Sequence, residues 1–367
     1  MVLTINFITD ICSRGSQLNH HNLGLKQSIF QHIGEHSIEE LFRVSKDYGK
    51  KYTVLGAIGG ELTEREVTRL KLDSDERPVI GDWVICQELN GEHVITELLP
   101  RETQLARTRS SGAQQAIAAN ISHIFITTSM NAEFNLNRLE RYLVLAKSSG
   151  IQPTIILTKR DLVDDPSEYI DQITQLDSSL LVLPVSTQTG EGLEELLSLI
   201  QKTDTCVLIG SSGVGKSSLI NYLLGEEVLE TLAVSDEGAR GSHTTSNRFL
   251  FMLPTGGLII DSPGLRQVGI GASTKNVEET FSDVESLVNN CRYHNCKHDK
   301  EGGCAIQEAL ANGNLSPRRY KSYLKLITEA RYADDPEAFQ RERHRQWRQV
   351  TKNRKEKEKV LGRYKEF

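Results

Sequence analysis

The sequence lacks a long apolar run. None of its stretches approaches the ~18 unbroken apolar residues that a membrane span needs. The first residues, MVLTINFITDICSRG, contain no basic leader and no apolar core of a secretory signal. Hydrophobic residues make up 38% and charged residues 25% of the 367 positions, as in globular proteins. We therefore expect a cytoplasmic protein of two or three domains, without membrane contact and monomeric.

Cysteine is also scarce, and it is unevenly placed. Of six cysteines, three fall within one short window, Cys291, Cys296 and Cys304. In a reducing compartment such a cluster favours a metal over a disulfide. With His298 the three make C-x₄-C-x-H-x₅-C, a set that suits one tetrahedral Zn²⁺ with no open position and hence a structural role. His294 is the rival histidine, and three free thiols are the alternative.

An excess of positive charge is absent from the whole chain but present at one end. The net charge is −6, which does not indicate a nucleic-acid binder. Residues 341–367, however, carry eleven basic side chains against four acidic ones. Segregated charge of this kind indicates a local anionic partner. We interpret the segment as a basic tail that binds rRNA, with a solvated helix as the alternative.

The hydrophobic pattern changes once within the N-terminal third of the sequence. Residues 1–46 show no clear period and are interpreted as an N-terminal extension. From there, short alternating runs follow one another, and Asn90-Gly91 between two of them is a strong hairpin signal. We predict a small β-barrel over residues 47–110.

The rest of the chain divides between a layered and a helical region. Residues 111–275 alternate apolar strands with amphipathic helices, which predicts an α/β layer around a mostly parallel sheet. Residues 276–340 are helical around the cysteine cluster, and one helix is predicted to begin at Ser316-Pro317. The expected architecture is multidomain: barrel, α/β domain and C-terminal helical domain.

A phosphate-binding loop stands inside the α/β region. The stretch GSSGVGKSS fits G-x-x-x-x-G-K-[ST] between an apolar strand and a helix. The glycines let successive N–H groups surround phosphate oxygens at the helix N-terminus. Lys216 would reach the β and γ phosphates, and the Ser217 hydroxyl would ligate Mg²⁺. The predicted site comprises Gly210, Ser211, Ser212, Gly213, Val214, Gly215, Lys216, Ser217 and Ser218.

Two later stretches supply the remaining parts of a triphosphate site. In IIDSPGL, Asp261 ends a strand and can hold Mg²⁺, while Gly264 can present its N–H to the γ-phosphate. Between this motif and the phosphate loop lies GARGSHTTSNR, where a threonine could close over Mg²⁺ when triphosphate is bound. Thr244 and Thr245 are both candidates, with Thr245 the proposed Mg²⁺ ligand, and the sequence does not choose between them.

Ras-like enzymes carry a glutamine directly after the D-x-x-G motif, and this sequence has a leucine at that position. Leu265 follows Gly264 and can neither donate nor accept a hydrogen bond to the attacking water. We expect slow intrinsic hydrolysis that waits on a partner. His243 is the candidate for positioning water, with a simple surface histidine as the alternative.

A base-recognition element precedes the phosphate loop instead of following it. In ILTKRDLV, Asp161 could accept the N1–H and exocyclic amine of guanine, and Lys159 could lie along the ring. Thr158 stands where many GTPases have asparagine. A second element, PVSTQTGEGLEEL, places a loop N–H around Ser186 toward the base oxygen. Along the chain, the two base-recognition elements come first, followed by the phosphate loop, the switch threonines and the Mg²⁺-binding aspartate. This order is a circular permutation of the usual GTPase order.

This order, with a barrel before it and a cysteine cluster after it, closely resembles the circularly permuted small-subunit-dependent GTPases of the RsgA (YjeQ) family. The resemblance covers roughly residues 48–340. It implies an OB-type barrel, a permuted P-loop GTPase domain and a zinc-binding helical domain, and it favours His298 as the fourth ligand. It also implies a late maturation and release switch on the small ribosomal subunit and its rRNA, with hydrolysis stimulated by that particle.

Two other classes of function remain open from the residues alone. One is a P-loop phosphotransferase acting on a small metabolite, against which Asp161 argues. The other is an RNA-binding scaffold whose nucleotide site is structural, which Leu265 leaves open.

Overall fold

A computed structural model describes residues 20–69, 76–108, 114–226, 248–261, 269–270, 272–299, 301–345, 347–348 and 351. The chain divides into two compact units. The first comprises Met1–Arg107 with Gln115–Val268, and the second comprises Thr108–Gln114 with Gly269–Phe367. In the described part of the chain, no helix combines the length and the apolar character that crossing a membrane requires.

A closed five-stranded barrel begins the first unit. Its strands follow the order β1-β2-β3-β5-β4, and β4 pairs back with β1 to close the barrel. Asn90 and Gly91 form the two-residue turn between β4 and β5 with φ of 55° and 82°, as a type I′ hairpin requires. The elements are helix α1 Gln27–Phe30, a 3₁₀ turn Ile38–Glu40, β1 Leu41–Asp47, β2 Lys51–Ile58, β3 Glu61–Arg69, β4 Trp83–Leu89 and β5 Glu92–Leu98.

The barrel starts earlier than the boundary set from the sequence. Strand β1 begins inside residues 1–46, the predicted N-terminal extension, and ends at Asp47. Its first five residues are all buried, because one face lines the barrel interior and the other is covered by Leu23, Ile29 and Ile33. A strand buried on both faces shows no alternation of polar and apolar residues. This lack of a period concealed the strand.

The side chain of Arg43 in β1 is fully buried and connects three parts of this unit. Its guanidinium donates hydrogen bonds to the carbonyl oxygens of Leu23, Gly81 and Asn120. It also lies 5.3 Å from the centre of the Trp83 ring. Burial lowers the pKa of Arg43 to about 9, so the group is still charged at neutral pH. The N-terminal segment, the barrel and the chain at Asn120 therefore meet at one cation.

Replacing Arg43 by methionine is expected to lower the free energy of unfolding by about 3 kcal/mol or more. The three carbonyl groups lose their donor in a buried site, where each unsatisfied polar group costs roughly 1–3 kcal/mol. Urea unfolding measures the change. Arg138→Met, at a half-exposed position, is the matched control and should stay within about 0.5 kcal/mol of the original protein. Equal losses in both variants would contradict the role of Arg43.

The α/β part of the first unit has the expected mostly parallel sheet, in the order β10-β9-β8-β11-β13-β12. Helices α2 and α3 pack on one face and α4 and α5 on the other. Strands β6 and β7 pair in a second, small sheet. The elements are β6 Gln104–Thr108, β7 Gln114–Ala119, β8 His123–Ser129, α2 Leu136–Ser148, β9 Thr154–Thr158, a 3₁₀ turn Arg160–Leu162, α3 Ser167–Thr174, β10 Leu181–Pro184, α4 Leu193–Ser198, β11 Thr205–Gly210, α5 Lys216–Leu224, β12 Phe249–Met252 and β13 Leu258–Asp261.

The barrel and this sheet are continuous. Strand β12 runs antiparallel to β13 on one side and pairs with β1 on the other, where Lys46 lies opposite Phe249. The result is one sheet of eleven strands in the described chain. Strand β12 begins at Phe249, two positions after residue 247, and residues 227–247 contain the predicted switch threonines.

The second unit is mainly helical, as predicted. Helix α9 begins at Ser316-Pro317, and the Ser316 hydroxyl accepts the N–H of Arg319. The Arg319 side chain is buried, pairs with Asp283 at 2.8 Å and lies 4.0 Å from the centre of the Phe281 ring. The elements are β14 Gly269–Ile270, α6 Thr274–Thr280, α7 Ser282–Asn289, α8 Ala305–Ala311 and α9 Pro317–Asp334.

Candidate functional site

The phosphate loop connects β11 to α5 at the carboxyl edge of the parallel sheet. Gly210 lies beside Thr127, and a Cβ at Gly210 would come within 2.3 Å of the Thr127 carbonyl oxygen, so no larger residue fits there. The Lys216 ammonium group donates to the carbonyl oxygens of Gly210 at 2.9 Å and Ser211 at 2.5 Å. Ser212, Gly213, Ser217 and Ser218 are exposed, whereas Val214 is buried below the loop. The loop thus presents its polar groups at a helix N-terminus, where anions bind well.

Asp261 stands next to this loop. It ends β13 opposite Leu208 of β11, and its side chain is 9% exposed. Burial raises the pKa of the Asp261 carboxyl, and the positive charge of Lys216 partly opposes that rise. A carboxylate in this setting gains from a nearby cation. With the Ser217 hydroxyl, Asp261 offers the oxygen ligands that Mg²⁺ prefers.

The two base-recognition elements meet at the same sheet edge. The Asp161 carboxylate accepts a hydrogen bond from the Ser186 hydroxyl at 2.5 Å, and Asp161 is exposed. The Arg160 N–H donates to the Val185 carbonyl at 3.1 Å, which joins the two loops through the backbone. An exposed carboxylate that is already oriented by a neighbouring hydroxyl can accept two donors from the edge of a guanine ring.

The base elements also reach the phosphate loop. Lys159 adopts a left-handed backbone conformation with φ of 61°, and its ammonium group donates to the Gly213 carbonyl at 2.9 Å. Thr158 is 4% exposed, and its hydroxyl donates to the Val214 carbonyl at 2.5 Å. The structure therefore brings the predicted base and phosphate residues into one connected site, despite their separation in sequence.

One pair in this site has no counterpart in the sequence-based prediction. The guanidinium of Arg160 lies 3.3 Å from the Glu191 carboxylate and connects the two base loops at their outer side. Arg160 occupies the variable position of T-K-x-D, and Glu191 lies within the second element, five residues after Ser186. No short-range pattern distinguishes such a pair from solvated charges.

The four predicted metal ligands converge in the second unit. Their ligand atoms all lie within 4.8 Å of one another, at Cys291, Cys296, His298 and Cys304. The Cys291 and Cys304 sulfurs are 3.9 Å apart, and His298 Nδ1 lies 3.4 Å and 3.5 Å from them. A tetrahedral site with Zn–S near 2.3 Å and Zn–N near 2.0 Å requires separations of roughly 3.8 Å and 3.6 Å. The cluster could hold a metal ion, and the thiols are not joined as disulfides.

The surroundings shift two thiols of the cluster in opposite directions, since burial raises the pKa of Cys296 to about 11 whereas the pKa of Cys291 is lowered. Burial by itself would raise the pKa of the Cys291 thiol, but hydrogen bonds from the N–H groups of Ala305 and Ile306, at the start of α8, outweigh it and lower that pKa. His298 has φ of 57°, and the Gln307 amide donates to its carbonyl at 2.6 Å. His294, the rival histidine, is exposed and lies outside the cluster.

Four predicted catalytic residues have no structural description. His243, Thr244, Thr245 and Gly264 all lie outside the described residues, so their contribution to the site remains a prediction. The same holds for most of the basic tail, residues 341–367.

Most of the amino-acid sequence of this chain is similar to that of proteins from one known family. A family model described as the RsgA GTPase matches residues 98–271. The chain is 38% identical over 326 residues to the small ribosomal subunit biogenesis GTPase RsgA 1 of Listeria monocytogenes, covering 86% of this chain and 93% of that protein. It is 40% identical over 276 residues to RsgA 2 of Vibrio parahaemolyticus, covering 75% and 76%.

Solved structures agree on the fold. YjeQ from Thermotoga maritima matches with a TM-score of 0.55 and 21% identity, covering 79% of this chain and 98% of that chain. YloQ, described as a circularly permuted GTPase, matches with a TM-score of 0.54 and 23% identity, covering 81% and 97%. The predicted fold class, a barrel followed by a permuted GTPase domain and a helical domain with a Cys₃His cluster, is confirmed. On the identity that it shares over most of its length, the chain belongs to the RsgA family of GTPases, enzymes that hydrolyse GTP.

Proposed function

We propose that this protein hydrolyses GTP to GDP and phosphate as a switch that sets its residence on the small ribosomal subunit late in maturation. The observation that supports the proposal is the connected site. The Asp161 carboxylate is exposed and is oriented by the Ser186 hydroxyl, so it can accept hydrogen bonds from the edge of guanine. Thr158 and Lys159 donate hydrogen bonds to carbonyl oxygens of the phosphate loop. The relatives named as small ribosomal subunit biogenesis GTPases support the choice of particle.

We propose a role for each described group of the site. Backbone N–H groups of the loop from Gly210 to Gly215 bind phosphate oxygens, and Lys216 exchanges its two carbonyl partners for the β and γ phosphates. Ser217 and Asp261 would hold Mg²⁺, which when bound supplies positive charge to the phosphates. Asp161 favours guanine over adenine, because adenine offers it no matching pair of donors and leaves a polar group unsatisfied.

The trigger is proposed to come from the ribosomal particle. The slot after the D-x-x-G motif holds Leu265, which cannot orient water, so the free protein should turn over slowly. His243 is proposed to position the attacking water, and Thr244 or Thr245 to close over Mg²⁺ and the γ-phosphate. The basic tail is proposed to contact rRNA, because its charge suits a phosphate backbone.

The metal of the Cys₃His cluster is proposed to be one structural Zn²⁺. Three thiolates and an imidazole are soft ligands that favour zinc over Mg²⁺ or Ca²⁺. The separations fit a tetrahedral site with all four positions filled by protein. A closed site of this kind folds its segment and leaves the chemistry to the nucleotide site.

GTP turnover by the purified protein, with and without small ribosomal subunits, tests the proposal. We expect the particle to raise kcat by at least about tenfold. Asp161→Asn should lose GTP turnover and recover it with xanthosine triphosphate, because an amide can donate to the 2-oxo group that replaces the amine. Asp164→Asn, at an exposed aspartate three positions away, is the matched control and should behave as the original protein.

The outcomes separate the candidate functions. Turnover that no particle accelerates, with GTP bound tightly, would overturn the ribosome-triggered switch. Loss of guanine preference in a nucleotide competition series would favour the phosphotransferase alternative. Tight GTP binding without turnover on any particle would favour the RNA-binding scaffold.

A further inference from the structure

The position of the His298 ring in the Cys₃His cluster depends closely on its backbone. Its Nδ1 atom faces the sulfurs of Cys291 and Cys304, at 3.4 Å and 3.5 Å. Nδ1 is bonded directly to Cγ, so a metal bound there lies closer to the main chain than a metal bound to Nε2. A small rotation of the His298 backbone therefore moves this ligand atom away from a metal that the thiolates hold.

The backbone of His298 has a conformation that residues with a side chain seldom adopt. Its φ is 57°, in the left-handed region, where residues other than glycine are uncommon. Such a conformation persists only where the surrounding structure holds it. The neighbours of His298 must therefore supply contacts that fix this turn of the chain.

The Glu301 carboxylate supplies two of these contacts. Its Oε1 atom accepts the N–H of Lys297 at 3.1 Å, and its Oε2 atom accepts the N–H of Asp299 at 2.9 Å. One carboxylate thus binds the backbone on both sides of His298. An ionised carboxylate suits this task, because charge-assisted hydrogen bonds are roughly twice as strong as neutral ones.

The Gln307 amide holds the same turn through a carbonyl group. Gln307 lies in α8, which begins directly after the ligand Cys304, and its Nε2 donates to the His298 carbonyl oxygen at 2.6 Å. That carbonyl belongs to the same planar peptide group as the N–H of Asp299, which Glu301 binds. The peptide group that follows His298 is therefore held at both ends, and the backbone cannot rotate there without breaking a hydrogen bond.

We infer that Glu301 and Gln307 are positioning residues for the metal, because they hold the backbone of His298 so that Nδ1 stays among the ligands. This inference rests on the proposed function, since it takes zinc as the occupant of the cluster. Removing a group that orients a metal ligand typically lowers metal affinity by roughly 10–100-fold. Without these two residues the three thiolates would still bind the metal, and water would compete with His298 for the fourth position.

The test measures the zinc affinity of full-length Glu301→Ala by competition with a chromogenic chelator. The affinity should fall by roughly 10–100-fold, because His298 is no longer held in place. Glu301→Gln keeps one acceptor oxygen and should lie between the alanine variant and the original protein. Glu308→Ala removes an exposed carboxylate from the same unit and is the matched control, with unchanged affinity.

Replacing zinc by an NMR-active cadmium isotope distinguishes positioning from a general effect on folding, because the cadmium shift depends on the ligand atoms. The original protein and Glu308→Ala should each give one signal, from three sulfurs and one nitrogen. Glu301→Ala should give a second signal, from cadmium bound to three sulfurs and a water oxygen. Should that variant fail to fold, Gln307→Ala removes the other bond of the same peptide group and should show both effects.

Unchanged zinc affinity in Glu301→Ala would overturn the inference. A weaker variant with the same single cadmium signal as the original protein would overturn it too, because the carboxylate would then act on the fold and not on His298. An original protein that binds no zinc in the chelator competition would instead refute the proposed metal of the cluster.

Discussion

His298→Asn is expected to abolish binding of the proposed zinc at the Cys₃His cluster and to unfold residues 291–304. Within that segment only Cys304 is buried among the described residues, so no apolar core holds it together. Structural zinc contributes roughly 10–16 kcal/mol of apparent folding free energy in small metal-dependent domains. Asparagine tolerates the left-handed backbone of His298, so the substitution removes the ligand without adding backbone strain.

Metal content and thermal unfolding measure this effect. The original protein should retain one zinc per chain after dialysis, and the variant should retain none and lose helical circular dichroism at a lower temperature. His294→Asn changes the exposed neighbouring histidine in the same way and should keep both the metal and the melting temperature. An original protein without zinc, or a His298→Asn variant that holds it tightly, would contradict the assignment.

Lys216→Met is expected to reduce kcat for GTP by about 10²–10³-fold, the usual loss when one preorganised donor to developing charge is removed. Methionine keeps much of the length and removes the charge that the loop holds beside Asp261. The same charge opposes the effect of burial on Asp261, so its loss should raise the pKa of that carboxyl further. As the pH falls, the Mg²⁺ concentration needed for half-maximal turnover should therefore begin to rise at a higher pH in the variant than in the original protein.

Steady-state GTP hydrolysis, measured across a series of pH values and Mg²⁺ concentrations, gives both kcat and the pH dependence of the Mg²⁺ requirement. Lys275→Met is the control, because that side chain is 80% exposed in the other unit, and its kinetics should be unchanged. A Lys216→Met variant with nearly full kcat would show that the loop binds phosphate without the ammonium group.

The parts of this protein that the sequence predicts best are those with short-range spacing. The phosphate loop, the T-K-x-D element and the cysteine cluster each occupy fewer than about fifteen consecutive residues, and their chemistry follows from residue types at fixed offsets. The Asn90-Gly91 hairpin is another such case, since two adjacent residues select the turn. Strand order at the sheet edge then brings Lys159 and Gly213 together, which the α/β pattern implies.

Features that depend on distant contacts escaped prediction. Strand β1 is buried on both faces because Ile29 and Ile33 cover it, and only the folded chain supplies that cover. In the sequence, Arg43 cannot be distinguished from a surface arginine, because its three carbonyl partners come from distant parts of the chain. The hydroxyl of Thr158 donates a hydrogen bond to the carbonyl of Val214, which lies 56 positions away in the sequence. Each of these rests on tertiary structure, which overrides the local pattern.

The pairing of β1 with β12 has a consequence for dissecting the molecule. Excising the barrel at the apparent domain boundary would strip β12 of its outer neighbour and expose an edge that carries Phe249 and Phe251. Unprotected apolar edges recruit further strands and drive aggregation. We therefore expect a GTPase fragment without the barrel to precipitate under conditions in which the intact first unit stays in solution.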